Sequence, residues 1–132
     1  GTPNIAGAVG LMEAVNYLRS VGLENIRRHE IELVKHLLDR FADEFKNIRL
    51  CGPPDIVDRG GIVSFTIGLF DPHSTAIFLD SEGIAVRSGF HCAQPLHEKL
   101  GFTRGSVRAS FYIYNTVEEV DFLVEALKRI VQ

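Results

Sequence analysis

Arg87, His91, Cys92 and Arg108 bring a nucleophilic sulfur, an imidazole and two guanidiniums into one short stretch of the sequence. Cys92 lies in Val86-Arg87-Ser88-Gly89-Phe90-His91-Cys92-Ala93-Gln94-Pro95, after the apolar run Ile84-Ala85-Val86 and before a Pro-led segment that Gly101 closes. Pro at a first helical position with Gly just past the end is the usual asymmetry of a helix. The thiol is therefore expected in a loop between a strand end and a helix start. A helix N-terminus there stabilises a thiolate, and the cations of Arg87 and a charged His91 would add to that. These are the conditions for a sulfur nucleophile. The competing reading is a small buried hydrophobe, a common role for free cysteine, and the residues alone leave both open. A guanidinium fork matches the two oxygens of a carboxylate, so Arg87 and Arg108 could hold a substrate acid group or simply form surface or interdomain ion pairs. His91, Cys92 and His97 make a third set, a metal site. Adjacent His and Cys do not easily both point inward, and no Cys-x-x-Cys supports that set.

These residues need elements to position them. Asn4 can cap a first helix with an apolar stripe at Ile5, Ala8, Val9, Met12 and Val15, ended by Gly22. Gly7 and Gly10 inside it imply close packing there. A second helix runs from about Asn25 to Phe45, and its His29 and His36 read as solvent-facing rather than as metal ligands. From Ile48 the period changes to that of strands: Ile48–Cys51, then Gly61–Ile67. Asp71-Pro72 opens a third helix and Gly83 closes it. A strand at Ile84–Arg87, the Cys92 loop and the Pro95 helix follow. Val107–Tyr114 reads as the clearest strand, with Val107, Ala109, Phe111 and Ile113 on one face and Arg108, Ser110, Tyr112 and Tyr114 on the other. Thr116 and Glu119 form a capping box for a last helix, striped by Val117, Val120, Val124, Leu127 and Val131. The order predicts a two-layer α/β sandwich (α+β) with one largely uncovered sheet face.

Composition narrows the function. The chain has 132 residues, 45% of them apolar, enough for one domain with one core. A net charge of −3 lacks the basic footprint of a nucleic-acid binder. No apolar stretch reaches the length of a membrane span. Cys51 and Cys92 make no disulfide framework, so a reducing, cytoplasmic setting is expected. The opening Gly1-Thr2-Pro3-Asn4, without an initiating Met, reads as part of a longer chain.

Three separated motifs carry a resemblance. Arg-Ser-Gly-Phe-His-Cys-Ala-Gln-Pro at 87–95, Val-Arg-Ala-Ser-Phe-Tyr-Ile-Tyr-Asn-Thr at 107–116 and Glu-Glu-Val-Asp at 118–121 occur in that order, with Gly-Thr-Pro-Asn at the start. Together they closely resemble the C-terminal part of SufS-type cysteine desulfurases, pyridoxal phosphate (PLP) enzymes of the class V aminotransferase family. The Arg-x-Gly-x-His-Cys form is similar to the SufS-like rather than the IscS-like group.

The resemblance implies that residues 1–132 are the small C-terminal domain of a fold-type I PLP enzyme, working in a cytoplasmic homodimer with its own N-terminal domain. It implies that Cys92 takes sulfur from L-cysteine as a persulfide, leaving L-alanine, for a sulfur acceptor or iron–sulfur scaffold protein. Arg108 would hold the substrate carboxylate, Arg87 would be a second active-site arginine, and Thr2 would reach the PLP phosphate of the partner subunit. No metal, membrane or nucleic acid is implied. None of Lys35, Lys46, Lys99 and Lys128 matches the family's PLP lysine, so this stretch alone is expected to be inactive. Phe90 departs from the polar residue many relatives have. Selenocysteine lyase, another class V lyase and a stand-alone persulfide carrier are the alternative functions.

Overall fold

A computed structural model describes residues 1–131. Helices α1 (Ile5–Val21) and α2 (Leu23–Glu44) lead into strands β1 (Ile48–Cys51) and β2 (Ile62–Ile67). Then come α3 (Pro72–Ser81), β3 (Arg87–Gly89), α4 (Gln94–Lys99), β4 (Ser106–Ser110) and α5 (Val117–Val131). The element order is the one that periodicity predicts.

The caps follow from local chemistry. Asn4 Oδ1 accepts from the Gly7 N–H at 2.9 Å and starts α1. Asp71 accepts from the N–H groups of His73 and Ser74, both at 3.0 Å, with Pro72 as the first residue of α3. Thr116 and Glu119 exchange bonds, N–H to Oε2 at 3.1 Å and N–H to Oγ1 at 3.4 Å, and start α5.

The four strands pair antiparallel in the order β1-β2-β4-β3. Side chains alternate across such a sheet. Val63, Phe65, Ile67, Val107 and Ala109 turn to the helical layer and are buried with Leu33, Leu37 and Phe41 of α2 and Val120, Val124 and Leu127 of α5. The register sets Cys51 opposite Ser64, Ser64 opposite Arg108 and Arg108 opposite Arg87. Those four residues form one row across the other face, which no long helix covers. The two-layer α/β sandwich with an uncovered face is therefore what the chain forms.

Several local expectations need correction. The strand near residue 84 is Arg87–Gly89, not Ile84–Arg87. The chain at Gly83–Val86 splays away from Ala109–Phe111, opening a cavity of about 240 Å³ between them. The strand from residue 107 stops at Ser110, because Asn115 folds the chain back: its Oδ1 accepts from the Tyr112 N–H at 2.8 Å, and its N–H donates to the Tyr112 carbonyl at 3.1 Å. Only Phe111 continues the pairing, donating to the Gly61 carbonyl at 2.7 Å. Gly7 sits against the cap Asn4 of its own helix, whereas nothing lies within 4 Å of a Cβ at Gly10. His29 and His36 are half-buried fasteners rather than solvent-facing groups: their Nε2 atoms meet the Asn115 carbonyl at 2.9 Å and Asp121 Oδ1 at 2.6 Å. Val131, placed in the apolar stripe, is exposed at the end of α5.

α1 is the outlier in packing. It buries no residue, and Ile5, Leu11 and Tyr17 are each at least 60% exposed. Among the described residues no helix is long and apolar enough to cross a membrane.

Candidate active site

Arg87 and Arg108 stand directly opposite on β3 and β4. Like charges in that relation repel, and neither arginine pairs with a described carboxylate. The Nε of Arg108 is buried and has no hydrogen-bond partner. With Ala85, Val86 and Ser110 they line a cleft of about 240 Å³. Two adjacent unpaired guanidiniums over a small cleft are an electrostatic fit for an anion, and their planar forks suit a carboxylate.

β3 runs from Arg87 into the Cys92 loop. His91 and Cys92 are the only non-glycine residues with positive φ among those described, at 51° and 61°. The left-handed region costs about 1–2 kcal/mol per ordinary residue, so two in succession form a strained turn. The turn closes with the Ala93 N–H on the Phe90 carbonyl at 2.8 Å and leaves Cys92 exposed. The reading of Cys92 as a buried hydrophobe is therefore set aside.

The surroundings of His91 differ from the expectation of a charged ring. Burial pushes its pKa below the ordinary value, and the neighbouring Arg108 pushes the same way, against the opposing bond to the Ser106 carbonyl. Both effects favour the neutral ring over a cation beside Cys92. Its Nε2 lies 3.2 Å from that carbonyl. His97 is buried, with Nε2 2.9 Å from Ser106 Oγ and Nδ1 3.0 Å from the Ala93 carbonyl. Protein groups thus occupy both His97 nitrogens and one of His91, which leaves the His91–Cys92–His97 set poorly suited to ligation. Among the described residues no group of three His, Cys, Asp or Glu could hold a metal.

The class-V aminotransferase model matches residues 1–123. The chain belongs to the aminotransferase class-V family. A cysteine desulfurase from Haloferax volcanii is 50% identical over 96% of this chain and 29% of its own length. A probable cysteine desulfurase from Halalkalibacterium halodurans is 46% identical over 98% of this chain and 30% of its own. The apo cysteine desulfurase of Thermococcus onnurineus superposes with a TM-score of 0.93 at 42% identity, covering 99% of this chain and 32% of that one. This chain therefore spans about a third or less of the length of these relatives.

Seen as part of a class-V aminotransferase, the domain gathers some expected site residues and not others. Arg87 and Arg108 come together, and Cys92 follows three residues after β3. Thr2 stands apart, exposed on the segment leading α1, which packs on α2. Lys35 and Lys128 are taken up in ion pairs with Asp39 and with Glu44 and Glu125, while Lys46 and Lys99 are exposed near the ends of α2 and α4. Ser106 and the structural part of His97 escape sequence reasoning, because their contact joins residues nine apart through a turn with no periodicity. Arg59 escapes it too. It is 7% exposed, donates from Nε to the Pro53 carbonyl at 2.5 Å, and keeps Nη2 unpartnered near Cys51. Burial lowers the pKa of Arg59 and raises that of the Cys51 thiol.

Proposed function

We propose that this chain is the C-terminal domain of a SufS-type, PLP-dependent cysteine desulfurase acting in a cytoplasmic homodimer. The observation that carries the proposal is the opposed, unpaired Arg87–Arg108 pair beside the exposed, strained Cys92 loop. The relatives that match nearly all of this chain bear the name cysteine desulfurase, in agreement with that reading.

The described residues do not by themselves fit pyridoxal phosphate. No lysine stands in the Arg87–Arg108 row, and Thr2 is the one residue here that would meet the phosphate. The cofactor, which supplies the electron sink for carbon–sulfur cleavage, would be held by the domain outside this chain. This chain's own part is simpler. Arg108 and Arg87 bind the cysteine carboxylate and set its thiol toward Cys92. The Cys92 thiolate attacks that sulfur, a sulfur–sulfur bond forms, and the electrons of the broken carbon–sulfur bond stay with carbon. The persulfide then passes to an acceptor thiol, such as that of an iron–sulfur assembly protein.

The test uses the full-length enzyme that contains this chain. L-Cysteine should yield alanine and, with a reductant, sulfide in equal amounts. Cys92→Ala should abolish sulfide release from cysteine. An enzyme indifferent to that substitution would end the assignment of Cys92, and one that turns over only selenocysteine would shift the function to a selenocysteine lyase. Absence of any turnover would favour a persulfide carrier.

A further inference from the structure

His97 and Ser106 link the Cys92 turn to the strand that carries Arg108. A carbonyl can only accept, so His97 donates from Nδ1 to the Ala93 carbonyl, 3.0 Å away. Its Nε2 is then the lone pair that receives the Ser106 hydroxyl at 2.9 Å. The Ser106 carbonyl in turn accepts from His91 Nε2 at 3.2 Å. The residues on both sides of Cys92 are thereby tied to one residue of β4, two positions from Arg108. Packing holds the imidazole in place: Phe90 and Phe102 meet it edge-on, with ring centroids at 5.7 and 6.3 Å. Two further contacts keep the anchor from sliding. The Phe102 N–H donates to the His97 carbonyl at 2.7 Å, and Gly105 passes so close to Gly89 that a Cβ there would lie 2.6 Å from the Gly89 oxygen.

The turn needs such an anchor. Two successive left-handed residues relax to ordinary φ unless their surroundings hold them, and relaxation would swing the thiol away. Ser106 is fully buried and His97 nearly so, so neither bond competes with water.

We propose that His97, acting through Ser106, is a positioning residue that fixes the Cys92 sulfur in register with the carboxylate-binding arginine. This rests on the reading of Cys92 as nucleophile and Arg108 as carboxylate ligand. Since the anchor places the nucleophile and leaves the arginines untouched, its loss lowers kcat and spares KM.

The full-length enzyme is compared with His97→Phe, which keeps the packing, His97→Gln, whose amide can donate and accept as the ring does, and Ser106→Ala. Hydrogen exchange of segment 90–97 and steady-state kinetics with L-cysteine are measured on each. In His97→Phe and Ser106→Ala, exchange should quicken about tenfold and kcat fall about tenfold or more, as expected for a misplaced reacting group, with KM within about twofold. His97→Gln should recover most of both. Unchanged exchange overturns the anchor, and faster exchange with unchanged kcat overturns its positioning role. Should His97→Phe not fold, Ser106→Ala decides by the same two readouts. If the wild-type enzyme releases no sulfide, the desulfurase reading fails, and exchange alone judges the anchor.

Discussion

Replacing Arg108 with Met should strengthen the fold while weakening the site. Arg108 has its Nε buried without a partner and faces Arg87 across the strand pair. An orphaned buried donor costs about 1–3 kcal/mol, and an opposed like-charge pair about 0.2–1 kcal/mol. Arg87 is exposed, so screening by water puts the second figure at its low end. Met keeps the length of the aliphatic stem and its packing, so Arg108→Met should stabilise the chain by about 1 kcal/mol, or about 4 °C in Tm for a domain of this size. Urea unfolding of the 132-residue chain reads this directly. The repulsive part should shrink as salt is raised. In the full-length enzyme the same change should lower kcat/KM for L-cysteine about 10- to 150-fold, the worth of a charge-assisted bond of about 1.5–3 kcal/mol. An Arg108→Met chain less stable than the wild type would show instead that Arg108 is satisfied in the free domain.

Three further outcomes are expected. Glu44, held down to about 2 chiefly by its bond to Arg40 and then by Lys128, has its folded pKa below the ordinary 4.5. Its contribution is therefore complete above about pH 4.5 and lost as pH falls toward 2; acid titrations followed by circular dichroism should show a flatter limb for Glu44→Gln over that window. Gly105→Ala, at φ 81° with a Cβ 2.6 Å from the Gly89 oxygen, should cost at least about 2 kcal/mol and show as a lower urea midpoint. Deleting residues 1–21 should move the Tm of the chain by less than about 2 °C, because α1 buries no side chain. A larger drop in calorimetry would mean that α1 supports the core.

The parts of the fold legible in the sequence are those set by local chemistry. Asn4, Asp71-Pro72 and Thr116 with Glu119 mark helix starts by caps that form within one turn, and the strand alternation of Val107, Arg108 and Ala109 shows which face each takes. What escaped depends on contacts between distant residues. The end of β4 is set by the Asn115 turn, and the slip of β3 to Arg87–Gly89 by the gap that opens beside Ala109. The sequence leaves a charged His91 open, because its burial cannot be seen in its neighbours along the chain. Similarly, Cys92 and the arginines were legible as types, but the pairing of Arg87 with Arg108 needed the register of β3 on β4. Gly7 misled because its neighbour is its own cap.

Foldable sequences satisfy local preferences, and departures concentrate where function imposes them. Here two departures lie at the same end of the sheet. Arg87 and Arg108 repel each other without a carboxylate, and His91 and Cys92 hold left-handed backbone without glycine. An ordinary charge pair would relieve the first with one Asp opposite Arg87, and an ordinary turn would relieve the second with Gly at residues 91 and 92. Neither replacement is present, and both unrelieved features are joined through Ser106. A bound carboxylate would satisfy the first, and a thiol presented at a fixed height requires the second. Under the proposed desulfurase function, one substrate carrying both a carboxylate and a sulfur would account for the two together.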